Sequence, residues 1–170
     1  MRRLWRGTGV IGLGAVLTLS AVAGLRINTT ESMPRGLWRE VAVDGVLHHG
    51  DVVAACLPDV GQIRHYVGEG SCPNGLEPVL KTIGAIAGDD VETTADGVRV
   101  NGVLMANTAP MKQDSQGRTL ERAPFVHYRV GDGEVWLLSS YSARSFDSRY
   151  FGSVAMDCVI ARGVPVLVWK

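Results

Sequence analysis

Two side chains in this 170-residue chain have the types and surroundings that acyl transfer requires: Ser32 in ESMPRGL at 31–37 and Lys81 in VLKTIGAIAGDDV at 79–91. A serine hydroxyl is a poor nucleophile until a nearby base takes its proton, and a lysine is that base only when its amine is neutral near pH 7. Burial in apolar surroundings lowers an ammonium's pKa and meets that condition. Val79, Leu80 and Ile83 surround Lys81 on a strand that reads apolar on both faces, so Lys81 is expected to titrate well below ~10. Pro34 and Gly36 favour a turn that would hold the Ser32 hydroxyl clear of a sheet. Taken singly, each motif has a plainer reading: a lysine at a strand edge with its head in water, and a Ser/Thr cluster forming a helix N-cap or an ST-turn.

Two further stretches belong to the same set, HGDVV at 49–53 and SFDSRYFG at 145–152. In the latter, Asp147 and Arg149 are either a pair fixing a turn or a group that takes part in the chemistry. A Ser/His/Asp arrangement is the rival, but His48, His49, His65 and His127 all stand in turn-like or polar contexts and no G-x-S-x-G elbow occurs, so the histidines read as surface residues. Gly50-Asp51 and Gly88-Asp89 read as turn residues that shape a sheet.

The elements that must position these residues read as mostly β. Segments such as DVVAACL, PVLKTIGAI, GEVWLLSS and VPVLVW are short, β-branched and separated by turn formers. Asp96-Gly97 and Asn101-Gly102 flank Val98-Arg99-Val100 and predict a three-strand meander from about Val91 to Met105. Beyond Leu25 no segment shows a convincing helical apolar period. The polar, turn-rich stretch 107–124 reads as a long exposed loop, the most mobile part of the body.

Length and composition suit one domain with an appendage. Lysines and arginines number 17 and acidic residues 17, so no net field draws the chain to nucleic acid. Gly7 to Leu25 carries no charge; as a helix this stretch of about 19 residues spans about 28 Å, enough to cross a bilayer. Arg2, Arg3 and Arg6 precede it and place residues 1–6 on the cytoplasmic side and 26–170 on the far side. Ala21-Val22-Ala23 would also suit cleavage of a secretory signal, and both readings export the body. There disulfides persist. Cys56 and Cys72, each closely followed by proline, are expected to pair and leave Cys158 free; the loop they close is worth ~3 kcal/mol in the chain-entropy model. No Cys/His spacing of the zinc type occurs, so neither a metal nor another cofactor is expected.

The order and types of the four segments resemble the signal peptidase family of Ser/Lys proteases, whose boxes read Ser-Met-x-Pro, Gly-Asp-Val/Ile-Val, Lys-x-Val/Ile followed by Gly-Asp, and Ser-x-Asp-Ser-Arg-x-x-Gly. Within the family the chain is similar to the TraF branch, the maturation peptidases of conjugative plasmid transfer, through NTT-x-S-x-P-x-GL directly after the apolar stretch, the paired C-x-P and CP, and SFDSRYFG. General signal peptidases carry Gly-Asp-Asn where this chain has Ser139, Ser140 and Tyr141. The resemblance implies a β fold of twisted antiparallel sheets preceded by one transmembrane helix, with a Ser32/Lys81 dyad. The Ser32 N–H and Thr30 hydroxyl would form the oxyanion hole, Ser145 would orient the Lys81 amine, and Asp147, paired with Arg149, would contribute to catalysis. It further implies an inner-membrane, single-pass serine endopeptidase with its catalytic domain on the periplasmic side. The substrate would be a membrane-associated, pilin-like precursor of a conjugation or type IV secretion apparatus, processed beside the lipid bilayer and in company with other components of that apparatus. A general signal peptidase and a noncatalytic assembly factor are the alternatives.

Overall fold

Runs in which every second or every residue is apolar and β-branched pair into two antiparallel sheets, described for residues 24–169 by a computed structural model. Residues 1–6 and nearly all of the apolar stretch 7–25 lie outside the described residues, as does Lys170. Leu25, read from the sequence as the last residue of the apolar stretch, instead opens the first strand. Among the described residues no helix is long and apolar enough to cross a membrane.

The larger sheet has seven strands in the order β1-β2-β11-β3-β4-β9-β10: β1 Leu25–Asn28, β2 Arg35–Val41, β3 Val52–Ala55, β4 Val79–Ile86, β9 Glu134–Leu138, β10 Val154–Ala155 and β11 Val159–Trp169. The smaller has the order β7-β6-β5-β8, with β5 Asp90–Thr94, β6 Gly97–Val100, β7 Val103–Leu104 and β8 His127–Arg129. The only α-helix among the described residues, α1, is the single turn Ser148–Phe151, capped by the Asp147 side chain.

The expected meander is β5-β6-β7, with one shift of register. Thr94 pairs with Gly97, so the first turn is Ala95-Asp96, and Gly97 belongs to the strand. Asn101 and Gly102 both have positive φ, the geometry of a two-residue hairpin turn that asparagine and glycine accept.

β9 shows why there are two cores. Val135 and Leu137 pack with Val53, Ala55, Ile63 and Leu76, while Trp136 and Leu138 on its other face pack with Val91, Val98 and Val130. The same division runs through β4, where a register shift between Ile83 and Ala85 sends Ile83 to the first core and Ala85 to the second. Gly84 sits at that shift, and a Cβ there would lie 2.6 Å from Leu138 Cδ1. A strand buried on both faces is an expensive place for an ammonium, and Lys81 lies within it.

Candidate active site

Ser32 lies in the turn between β1 and β2, which Asn28 organises. The Asn28 amide donates to the carbonyls of Met33 and Pro34, both at 3.0 Å, and its oxygen accepts from the Thr30 N–H at 3.2 Å and the Thr30 hydroxyl at 2.8 Å. An asparagine side chain bonding its own backbone two residues on is a local turn device, and here it shapes the serine segment. Met33 is buried, and the Thr82 hydroxyl contacts its sulfur at 3.7 Å, tying the turn to β4 one residue past Lys81. Gly36 is not part of the turn. It lies inside β2, opposite Val168, with φ 139°, and a Cβ there would stand 2.2 Å from the Leu167 carbonyl oxygen, so glycine is required by the approach of β11.

Lys81 is 3% exposed in the middle of β4. Burial pulls its amine down to about 8; the Asp147 carboxylate opposes that shift and the Arg149 guanidinium adds to it. Ser32 and Lys81, far apart in sequence, line one cavity of about 390 Å³ together with Thr30 and Ser145. No hydrogen bond among the described residues joins Ser32 Oγ to the Lys81 amine; such contacts commonly tighten only in the substrate complex. The Ser145 hydroxyl is buried and has no partner among the described residues. The Thr30 hydroxyl, donated to Asn28, lines the cavity from the exposed side.

Asp147 and Arg149 do not line the cavity. Asp147 is fully buried and forms a two-pronged pair with Arg149, Nε to Oδ1 at 2.8 Å and Nη2 to Oδ2 at 2.9 Å. Arg149 also donates to the carbonyls of Asn107, Ala143 and Ser139. Both readings of this pair left open by the sequence therefore have a physical footing: it fixes the start of α1, and its charges act on Lys81.

The cavity's outer wall comes from aromatic rings and from the polar stretch 107–124. Tyr66, Phe146 and Tyr150 stack in a row, with centroids 4.5 and 5.3 Å apart. The Tyr66 hydroxyl donates to Asp114 at 3.1 Å, the Met111 N–H donates to the Tyr150 hydroxyl at 3.0 Å, and the Arg118 guanidinium lies 5.2 Å from the Tyr66 ring centroid. The stretch is thus pinned rather than merely exposed, and Met111, Asp114, Arg118 and Leu120 face the cavity.

The family model described as signal peptidase, peptidase S26, matches residues 4–169 of this chain. The chain belongs to the signal peptidase (peptidase S26) family. It is similar to two proteins of Escherichia coli named plasmid transfer protein TraF. One is 40% identical over 168 residues, covering 94% of this chain and 93% of that protein; the other is 37% identical over 177 residues, covering 99% and 98%. A signal peptidase I from Enterococcus faecalis matches 72% of this chain and 98% of its own, with a TM-score of 0.41 and 20% identity.

In this signal peptidase-family chain the structure brings together Ser32, Lys81, Thr30 and Ser145 at one cavity and sets Asp147 and Arg149 apart from it. Cys56 and Cys72 form a disulfide that does not line the cavity, and Cys158 is a free thiol. Among the described residues no three His, Cys, Asp or Glu side chains converge as a metal site. Asp89, read as a simple turn residue, is a buried hub that accepts from the Ile86 N–H, the Asn101 amide and the His49 ring. Three contributors were given no role from the sequence. Asn28 had a signal in the Asn-Thr-Thr turn chemistry; Ser139 was noted only as a departure from Gly-Asp-Asn, and the 111–120 wall only as an exposed loop, because their roles depend on contacts between distant segments.

Proposed function

We propose that this chain is a membrane-anchored serine endopeptidase that uses Ser32 and Lys81 to process an exported, membrane-associated precursor, the pilin of a conjugative transfer apparatus. The observation that carries this reading is the convergence of Ser32 and a buried, neutralisable Lys81 on one cavity. With its pKa near 8, about one lysine in ten is already neutral at pH 7. The neutral amine takes the Ser32 Oγ proton as the oxygen attacks the scissile carbonyl. The Ser32 N–H has no hydrogen-bond partner among the described residues and is available to the developing oxyanion; the Thr30 hydroxyl joins it by turning from Asn28. The Lys81 ammonium then gives its proton to the leaving amine, and attack on the acyl-enzyme by water, or by the substrate's own amino terminus, frees Ser32. Ser145 Oγ, buried, unpartnered and part of the same cavity lining as Lys81, is suited to orient the amine.

The pilin substrate is favoured by the similarity to proteins named plasmid transfer TraF over nearly their full lengths. The absence of Gly-Asp-Asn at 139–141 argues against general signal-peptide removal. The uncharged stretch before Leu25, which would set the Ser32 hairpin close to the lipid, and the Cys56–Cys72 disulfide favour an anchored domain on the periplasmic face.

The test is maturation of the pilin precursor encoded with the transfer genes, followed by mass spectrometry with the wild type, Ser32→Ala and Lys81→Ala. Loss of the processed product with both variants is expected; processing that survives both would leave a noncatalytic assembly role. Processing of many unrelated precursors would restore the general signal peptidase. A matured chain lighter by one water would identify the amino terminus as the acyl acceptor.

A further inference from the structure

Ser139 directly follows β9 and enters the Ser-Ser-Tyr segment. It is wholly buried and all its polar atoms are engaged. Its hydroxyl donates to the backbone carbonyl of Ser32 and accepts from the Tyr141 N–H at 3.2 Å. Its N–H donates to Asp147 Oδ2 at 3.0 Å, and its carbonyl accepts from Arg149 Nη2 at 3.2 Å. Asp147 and Arg149 hold each other through two hydrogen bonds and neither lines the cavity. Among the described residues, Ser139 is hydrogen-bonded both to that buried pair and to the serine segment.

Resting on the reading of Ser32 as nucleophile, we infer that Ser139 is a positioning residue: Asp147 and Arg149 clamp its backbone, and its hydroxyl fixes the Ser32 carbonyl, so that the Ser32 N–H and Oγ are held in place for attack. The physical case is one of degrees of freedom. The serine turn is fastened through Asn28 and Met33, but none of those contacts is made to the Ser32 carbonyl itself. A donor on that oxygen fixes the plane of its peptide unit. Because Ser139 is clamped at its own N–H and carbonyl by a rigid ion pair, its hydroxyl cannot follow the turn if the turn shifts. The Asp147 carboxylate thus affects the reaction without touching substrate. Displacing a reacting group by about 1 Å costs on the order of 100-fold in rate.

The experiment measures kcat, KM and the pH profile of precursor cleavage for Ser139→Ala, Ser139→Cys and Ser32→Ala in the full chain. Removing the hydroxyl should lower kcat by about 10- to 100-fold, leave KM within about twofold and leave the limb belonging to Lys81 where it is. Ser139→Cys fills the same space with a weak donor and should fall between wild type and Ser139→Ala, which keeps the test usable if the alanine variant folds poorly. Wild-type kcat in either folded variant would overturn the inference, and so would a displaced pH limb, since that would place Ser139's effect on the base. Residual activity in Ser32→Ala would instead remove the nucleophile reading itself. A lost Ser32→Ala activity with an unaffected Ser139→Ala would remove only the role of Ser139.

Discussion

Lys81 stands opposite Val53 where β4 pairs with β3, inside a seven-stranded sheet, and so an amine occupies a position that two apolar faces surround. A charge there costs free energy unless it is lost, and the amine responds by titrating at about 8. The same burial that weakens the fold brings the amine's titration toward neutral pH.

Activity should therefore rise with pH through a limb near 8, as the ammonium becomes the neutral amine. A pH profile of kcat/KM for the wild type checks this directly. A rate that is flat between pH 6 and 9 would remove Lys81 as the base.

The sign of the stability effect follows from linkage. The amine's folded pKa, about 8, lies below its ordinary 10.5, so between these values the unfolded chain binds more protons and stability rises with pH. Below about 8 the folded state bears the full cost. Lys81→Met, which keeps the volume and removes the charge, should be inactive yet more stable at pH 7 by about 1–3 kcal/mol. That advantage should shrink as the pH passes from about 8 to 10.5 in denaturant titrations.

The Cys56–Cys72 bridge encloses the 3₁₀ turn Ile63–His65, from which Ile63 enters the first core and Val67 follows it. Replacing both cysteines by serine should cost about 2–4 kcal/mol by thermal melt. Labelling of the native protein should modify one thiol, Cys158, and slowly, since burial pushes that thiol up. Three labelled sites would contradict the bridge.

The Asp114 wall offers a binding test. Burial acts to raise its carboxyl, but the Arg118 guanidinium, the Arg118 and Gln116 N–H groups and the Tyr66 hydroxyl outweigh that and hold it at about 2. Because the folded pKa is depressed, these ties persist above about pH 4 and are lost only as the pH falls toward 2. Asp114→Ala should raise KM about 3- to 10-fold with kcat within about twofold, the mark of lost uniform binding. An unchanged KM would mean that substrate does not meet this wall.

Much of the fold was legible because its signals are local. Asn101-Gly102 has the backbone freedom that a two-residue hairpin needs, and the short apolar run in GEVWLLSS, bounded by turn formers, marks β9 as a strand. The departures also have local causes. Gly97 entered a strand because Thr94 pairs with it, and Gly36 proved to be a close-approach glycine rather than a turn former. Neither fact is visible without the neighbouring strand. The stretch 107–124 looked free because its composition is polar, yet Tyr66 and Tyr150, both remote in sequence, tie it down.

By itself the sequence determined the chemistry on offer: a serine among turn formers, a lysine in an apolar strand, and an Asp-Ser-Arg box, all of which are properties of residue type and near neighbours. Only the tertiary structure decided which of these meet. It drew Ser32 and Lys81 to one cavity, buried the amine enough to shift its titration, and withdrew Asp147 and Arg149 behind Ser139. Burial and contact between distant segments are properties of packing, and no stretch of chain carries them alone.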